Sequence, residues 1–583
     1  MELPPNSCKI IHLFSLNIKM KVLPKETASI FTRDEVRLDA DIYRPDAEGE
    51  FPVLLMRQPY GRAIASTVVY AHPKWYASHG YIVIIQDVRG RGTSEGEFQL
   101  FAHEIEDGID TINWAANLPG STGKIGMYGF SYQGMTQLYA ASAKPPALKT
   151  ICPAMIADNL YSELAYEGGA FRLQTNLGWA IQLATETARL RGDEEAYQEL
   201  YQGAKNLSFS TPIPALSEVM NKYASDSFYH QWLENYKPSE YWKNLSPNLE
   251  NVDLPMLHIG GWFDTYLRGT INFYQKISCR SKFLQKLIVG PWSHIPWGRK
   301  LGTVNYGLAA SNPIDDLQIL WFDQFLKGIN TGILERSPIS LFEMGSNEWR
   351  NFNSWPSNNN RFYYLASTGL ANMREDSGTL NNNCPEISTD DIFVHDPWRP
   401  VPVLGGHATF PAGSFERSEL DCRTDILTYT SEFLTEDLHI VGNIYVEVYC
   451  TADTSSFDLS AVLSEVKPNG NVYNFTQGYI KVVSNNLPVK ISLQPTCIKI
   501  EKGNAIRLSL SAACFPAYLI NPGIDKPPKE VQLIDAKIIT ITISSGKNNP
   551  SRISLSTAGN REQGTGNRRE NIPLSEVHHQ SPS

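Results

Sequence analysis

The chain has 583 residues, 42% of them hydrophobic and 19% charged, with a formal net charge of −10. That length is too great for one hydrophobic core and points to roughly three domains, in a composition typical of globular proteins. The acidic balance is spread along the chain without a basic stripe, which argues against nucleic acid as a partner.

The cysteines, Cys8, Cys152, Cys279, Cys384, Cys422, Cys450, Cys497 and Cys514, lie scattered with no C-x-x-C pair. Neither a zinc site nor a disulfide framework is expected. The first twenty residues lack the basic start, long apolar run and small-residue cleavage site of a secretory signal. No later run reaches the ~18 apolar residues of a membrane span. A cytoplasmic location without membrane attachment is the expectation.

From about residue 25 the pattern alternates strand and helix. Val36-Arg-Leu-Asp-Ala-Asp-Ile-Tyr alternates like an edge or antiparallel strand. Phe51-Pro-Val-Leu-Leu-Met and Tyr81-Ile-Val-Ile-Ile are continuous apolar runs suited to strands covered on both faces. Glu104 to Asn117 reads as a helix, with Ile105, Ile109, Ile112 and Ala116 on one side. Between about 149 and 248 helical stretches such as Leu183 to Ala204 replace this rhythm, and sheet pattern returns at Pro255-Met-Leu-His-Ile-Gly and Lys286-Leu-Ile-Val-Gly. These features predict an α/β domain over 25–148 and 249–345, with a helical cap at 149–248 placed over the carboxyl edge of its sheet. After 346, Ile444-Tyr-Val-Glu-Val-Tyr, Ile506-Arg-Leu-Ser-Leu-Ser and Ile539-Thr-Ile-Thr-Ile-Ser alternate with period two. A C-terminal β-sandwich is predicted over 346–545 and a disordered tail over 546–583.

The chemistry centres on Gly129-Phe-Ser-Tyr-Gln-Gly134, preceded by Lys124-Ile-Gly-Met-Tyr and followed by a helix-like run. A strand that stops on a serine between glycines and restarts as a helix is the nucleophile elbow of α/β-hydrolases. Here Gln133 stands where that pattern has its second glycine, and Gly134 comes one place later. In this fold the acid and the histidine follow the serine in chain order. Gly260-Gly-Trp-Phe-Asp264 and Gly290-Pro-Trp-Ser-His294 supply that order, each directly after an apolar strand. Taken singly, Asp264 also fits a turn former or helix cap, and His294, between Trp292 and Trp297, also fits a packed core residue. His258 points along a buried strand, and Asp87, beside Arg89-Gly-Arg-Gly, fits a loop held by arginine pairs. The backbone N–H of Tyr132 is the natural first oxyanion donor. The loop Arg57-Gln-Pro-Tyr60 has no glycine run, so a second donor there would be the Tyr60 phenol, which also fits a space-filling tyrosine.

These motifs, together with Gln86-Asp-Val-Arg-Gly-Arg-Gly-Thr-Ser-Glu-Gly, Phe393-Val-His-Asp-Pro-Trp-Arg-Pro-Val-Pro and Asp425-Ile-Leu-Thr-Tyr-Thr-Ser, resemble the CocE/NonD-type hydrolases of the X-Pro dipeptidyl-peptidase (S15) class over about 28–545. In that family a tyrosine follows the serine and a glycine stands at the third place after it, as here. The resemblance implies Ser131 as nucleophile, His294 as base, Asp264 as its orienting acid, and an oxyanion hole made by the Tyr60 hydroxyl and the Tyr132 N–H. It also implies an α/β-hydrolase core with an inserted helical cap and a C-terminal jelly roll, and no cofactor or metal.

The expected substrate is a small ester or amide. Thr265-Tyr-Leu-Arg268 follows the acid in place of the acidic residues that hold an α-ammonium group in amino acid ester hydrolases. That disfavours a cationic substrate and leaves Arg268 either facing an anionic acyl group or as a helix-surface charge. Phe171, Trp179, Trp262 and Trp292 are the candidates for an acyl pocket, each equally compatible with ordinary core. An X-Pro dipeptidyl-peptidase is the runner-up, set back by the large N-terminal domain of those enzymes, which the residues before the core do not supply. An inactive hydrolase-like binding protein is the alternative of another class. A homodimer is compatible with the sequence.

Overall fold

A computed structural model describes residues 19–557 apart from 64–66, 206, 208–216, 357–359 and 484–486. Its centre is a ten-stranded sheet. The first strands are β1 (Glu26–Phe31), β2 (Arg37–Tyr43), β3 (Phe51–Gln58), β4 (Ile82–Asp87), β5 (Ser121–Phe130) and β6 (Leu148–Ala154). Between them run α1 (Pro73–Ser78), α2 (Glu104–Ala116) and α3 (Tyr132–Ser142). After β6 the chain leaves the sheet through the small hairpin β7 (Tyr166–Glu167) and β8 (Ala170–Phe171). It then forms α4 (Leu173–Arg191), α5 (Glu194–Lys205), α6 (Glu218–Tyr223), α7 (Phe228–Glu234) and α8 (Glu240–Leu245). It re-enters as β9 (Met256–Phe263), followed by α9 (Leu267–Ser278) and β10 (Gln285–Ser293).

The spatial order is β1-β2-β4-β3-β5-β6-β9-β10, extended by a hairpin of Ile339–Glu343 and Glu348–Phe352. All pairings from β4 to Ile339–Glu343 are parallel, whereas β1, β2 and β4 pair antiparallel. The apolar runs explain this. Every residue of β4, β9 and β10 is buried, as parallel strands covered on both faces require. The core is thus an α/β-hydrolase sheet with its helical insertion between β6 and β9.

Three predictions differ in detail. The sandwich expected from 346 starts later, because Glu348–Phe352 pairs with Ile339–Glu343 and so closes the hydrolase sheet. The helical stretch expected from Leu183 to Ala204 is broken at Gly192, which caps α4 with φ +71°. Asp193 then accepts from the Ala196 N–H over 3.0 Å and starts α5. Part of the tail expected from 546 is ordered: Arg552–Thr557 is a strand paired with Leu438–Ala452 on one side and Asn360–Ala366 on the other. Its short alternation of Ile553 and Leu555, both fully buried, was hidden among polar neighbours. The remainder of that tail, 558–583, lies outside the described residues.

The C-terminal β-sandwich is one hydrogen-bonded set of twelve strands. Ile539–Ser545 alternates buried and half-buried residue by residue, the period-two signature of one face turned inward. Its core is continuous with the hydrolase sheet, since Trp262, Phe263 and Leu267 pack in the same cluster as Leu438, Ile491 and Ile541. Among the described residues no helix is long and apolar enough to cross a membrane.

Candidate active site

β5 ends at Phe130 and α3 begins at Tyr132, so Ser131 carries the whole reversal with φ +59° and ψ −126°. A non-glycine residue in that region costs on the order of 1–3 kcal/mol, which the surrounding packing must supply. The displaced glycine of the motif has a steric reason. A Cβ on Gly134 would lie 2.5 Å from Ile156 Cγ2 and 2.8 Å from the Ala154 carbonyl oxygen. Glycine there lets α3 settle on the end of β6. Gln133 fits at the usual glycine position because its side chain turns back, Oε1 accepting from the Phe130 N–H over 3.3 Å.

Asp264 follows β9 directly, in a turn closed by its N–H donating to the Gly261 carbonyl over 3.0 Å. His294 follows β10, the parallel neighbour of β9. The adjacency of the strand ends brings the side chains together. His294 Nδ1 lies 2.8 Å from Asp264 Oδ1, and His294 Nε2 lies 2.9 Å from Ser131 Oγ. Asp264 is fully buried, whereas the His294 side chain keeps 15% exposure toward the cleft. Since a carboxylate can only accept, Nδ1 carries the proton and Nε2 is free to accept from the serine hydroxyl. Tyr266 stands edge-on to the His294 ring, centroids 5.0 Å apart, and Phe130 flanks it at 5.5 Å.

Tyr60 follows β3, and its hydroxyl accepts from the Trp179 indole N–H over 3.0 Å. Burial pushes the phenol well above its ordinary range, offset in part by its hydrogen bonds with Trp179 and Ser131 and by the charge of Arg91. The group is therefore protonated, and able to donate, at neutral pH. As the first residue of α3, Tyr132 has a backbone N–H with no acceptor inside the helix. Its side chain is tied down, the hydroxyl donating to Glu104 Oε1 over 2.7 Å while Glu104 Oε2 pairs with Arg57 at 2.7 Å.

Of the acyl-pocket candidates, only Trp179 meets these groups. Trp262 is buried in the core shared with the sandwich, its indole donating to the Phe342 carbonyl. Trp292 is fully buried, stacked on Trp297 and bonded to the Ala310 carbonyl. Phe171 packs edge-on against Tyr166 and Tyr229 inside the cap. Both tryptophans lie within strands whose two faces are covered, so proximity to the motif in sequence did not place them in the cleft. Arg268 is half-buried and paired within the protein: it donates to Glu167 Oε1 at 3.3 Å and to the Ser492 carbonyl at 2.9 Å. Asp87 is indeed arginine-paired, but with Arg62 at 2.5 Å rather than its neighbours, and His258 is buried against Gln285. Sequence reasoning missed Glu104, Tyr266 and Arg91. The buried Arg91 guanidinium lies 3.8 Å from the Phe98 ring centroid and donates to the Leu183 carbonyl, with no carboxylate in ion-pair range among the described residues.

Residues 34–296 match the family model of the X-Pro dipeptidyl-peptidase (S15 family), and 331–554 match that of the X-Pro dipeptidyl-peptidase C-terminal non-catalytic domain. Cocaine esterase of Rhodococcus sp. (strain MB1 Bresler) is 29% identical over 559 residues, covering 90% of this chain and 96% of that protein. An aminopeptidase structure from the marine sediment archaeon Thaumarchaeota archaeon superposes with a TM-score of 0.77 at 20% identity, over 96% of this chain and 99% of the other. An α-amino acid ester hydrolase does so with a TM-score of 0.74 at 22% identity, over 95% and 100%. The chain belongs to the X-Pro dipeptidyl-peptidase (S15) family of serine hydrolases.

Proposed function

We propose that the protein hydrolyses esters of small acyl groups in two steps, with Ser131 as nucleophile, His294 as base and Asp264 as the acid that orients it. The observation that carries this reading is the unbroken hydrogen-bond chain from Ser131 Oγ through both ring nitrogens of His294 to Asp264. Ser131 Oγ attacks the ester carbonyl carbon as its proton passes to His294 Nε2, and Asp264 stabilises the imidazolium that results. The carbonyl oxygen becomes an oxyanion, received by the Tyr60 hydroxyl and the Tyr132 N–H, each donor being worth roughly 3 kcal/mol. Collapse expels the alkoxide, which takes the proton from His294 and leaves acyl-Ser131. Water, activated by the same imidazole, then releases the acid. The name of the Rhodococcus relative, an esterase, supports an ester substrate.

Cleavage of X-Pro peptides is the second reading, favoured by the descriptions of the two matching family models. A panel of p-nitrophenyl esters and Ala-Pro-p-nitroanilide against the purified chain decides between them, with the esters expected to turn over. A fluorophosphonate probe should label Ser131, as read by mass spectrometry, and Ser131→Ala should fold normally and lose turnover. Undiminished hydrolysis in that variant would remove the assignment.

A further inference from the structure

The cap and the sandwich meet at a buried charge cluster next to the loop that carries Asp264. Glu167, on the hairpin β7–β8, is fully buried. Its Oε2 accepts from Arg172 Nη2 at 3.0 Å, from Tyr518 at 2.5 Å and from His407 Nε2 at 2.9 Å, while Oε1 takes Arg268. Tyr518 and His407 belong to the C-terminal sandwich half of the chain. The other terminal nitrogen of Arg172 reaches the acid loop: Nη1 donates to the Thr265 carbonyl at 2.6 Å and to Thr265 Oγ1 at 2.8 Å, and also to the Glu163 carbonyl at 3.1 Å. Thr265 is the residue after Asp264.

The same seam fixes the other side of the cleft. The first N–H groups of α4 have no acceptor inside the helix. Those of Leu173 and Gln174 donate instead to the carbonyls of Ala517 and Pro516, at 2.9 and 3.1 Å. α4 carries Trp179, the donor to Tyr60. A sandwich segment around residues 516–518 therefore contacts both the support of the acid loop and the root of the helix that orients the Tyr60 hydroxyl.

Burying four charged or polar partners with a carboxylate is costly unless geometry is well satisfied. A cluster used only for cohesion would be replaceable by apolar packing at no loss. Here the other arm of Arg172 makes its two shortest hydrogen bonds to Thr265, the residue after Asp264. We propose that Arg172 is a positioning residue for Asp264, and that the C-terminal sandwich, through Tyr518, His407 and Glu167, holds Arg172 in place and so forms part of the catalytic apparatus. This rests on Asp264 acting as the orienting acid.

The test uses the full chain and p-nitrophenyl butyrate. The charge-removing double variant E167Q/R172M should lower kcat about tenfold or more with KM within about threefold, because a small misplacement of a catalytic group costs rate rather than binding. Arg172→Lys, which keeps one cationic donor, should recover part of that loss. Tyr518→Phe, a single hydroxyl removed from the sandwich, should lower kcat about threefold to tenfold at nearly native Tm. If E167Q/R172M does not fold, Tyr518→Phe decides alone. Wild-type kcat in folded Tyr518→Phe, or KM rising as far as kcat falls in Arg172→Lys, overturns the proposal. Fluorophosphonate labelling of the wild-type chain keeps the two claims apart: no label at Ser131 defeats the functional reading, whereas a labelled Ser131 with unmoved variants defeats only the positioning role.

Discussion

The indole N–H of Trp179 donates to the hydroxyl of Tyr60 over 3.0 Å, and an indole N–H can do nothing but donate. The Tyr60 oxygen is thereby fixed as acceptor on one side, and its own proton must point elsewhere. The remaining partner is on the Ser131 side. A phenol held this way needs no reorientation when negative charge develops on the substrate, which is the condition for effective oxyanion stabilisation. Tyr60→Phe should lower kcat by about 10²–10³ with a small change in KM. Trp179→Phe keeps the ring but releases the phenol and should lower kcat less, by about tenfold. Equal kcat in Tyr60→Phe and wild type under saturating ester would eliminate the phenolic donor.

Asp264 accepts from His294 Nδ1 and so selects the tautomer in which Nε2 can take the serine proton. Asp264→Asn presents an amide of the same shape that can donate to Nδ1 and favour the opposite tautomer. The expected loss is about 10⁴ in kcat, with ester KM little altered. Steady-state kinetics on a p-nitrophenyl ester measures it, and a loss below about tenfold would mean that another group orients the imidazole.

Much of this site was legible because each of its three central residues follows a strand directly. Ser131, Asp264 and His294 come after β5, β9 and β10, and parallel strands end at one edge of their sheet. Local pattern thus sufficed to bring distant residues together. Arg268 shows where it stops sufficing. The partner that occupies it is Glu167, 101 positions earlier, and no spacing rule connects a cap hairpin to α9. The contacts of Glu167 to His407 and Tyr518 span 240 and 351 positions. Two of the aromatic candidates lie in the core for a related reason. Trp262 and Trp292 sit in strands buried on both faces, so alternation carries no information on which face meets the cleft.

Gly134 lies where α3 packs against the end of β6. A methyl group there would press on the Ala154 carbonyl at 2.8 Å, and a strand carbonyl cannot rotate away as a side chain can. Gly134→Ala should destabilise the chain by about 1–3 kcal/mol, measured as a lower urea midpoint, and should also reduce kcat by tilting the elbow. A neutral effect on both would show that β6 yields there at no cost.

Asp458 offers a test of stability against pH that is separate from turnover. Its carboxyl is buried in the sandwich, accepting from Asn521 at 2.7 Å and Tyr479 at 2.9 Å. Burial pushes its pKa up to about 6 from an ordinary value of 3.8, against the opposing effect of those two donors and of Lys481. The folded state thus holds a proton more tightly than the unfolded chain. Its contribution is fully present below pH 3.8, declines as pH rises between 3.8 and about 6, and is gone above that. The cost of ionising this group in place is on the order of 3 kcal/mol at neutral pH. Asp458→Asn removes that titration, so its urea midpoint should fall less than the wild-type midpoint between pH 4.5 and pH 7. Because every other group titrates equally in both proteins, the difference between the two slopes isolates this carboxyl. Parallel slopes would place its folded-state pKa near the unfolded one, with the carboxylate ionised at no penalty inside the sandwich.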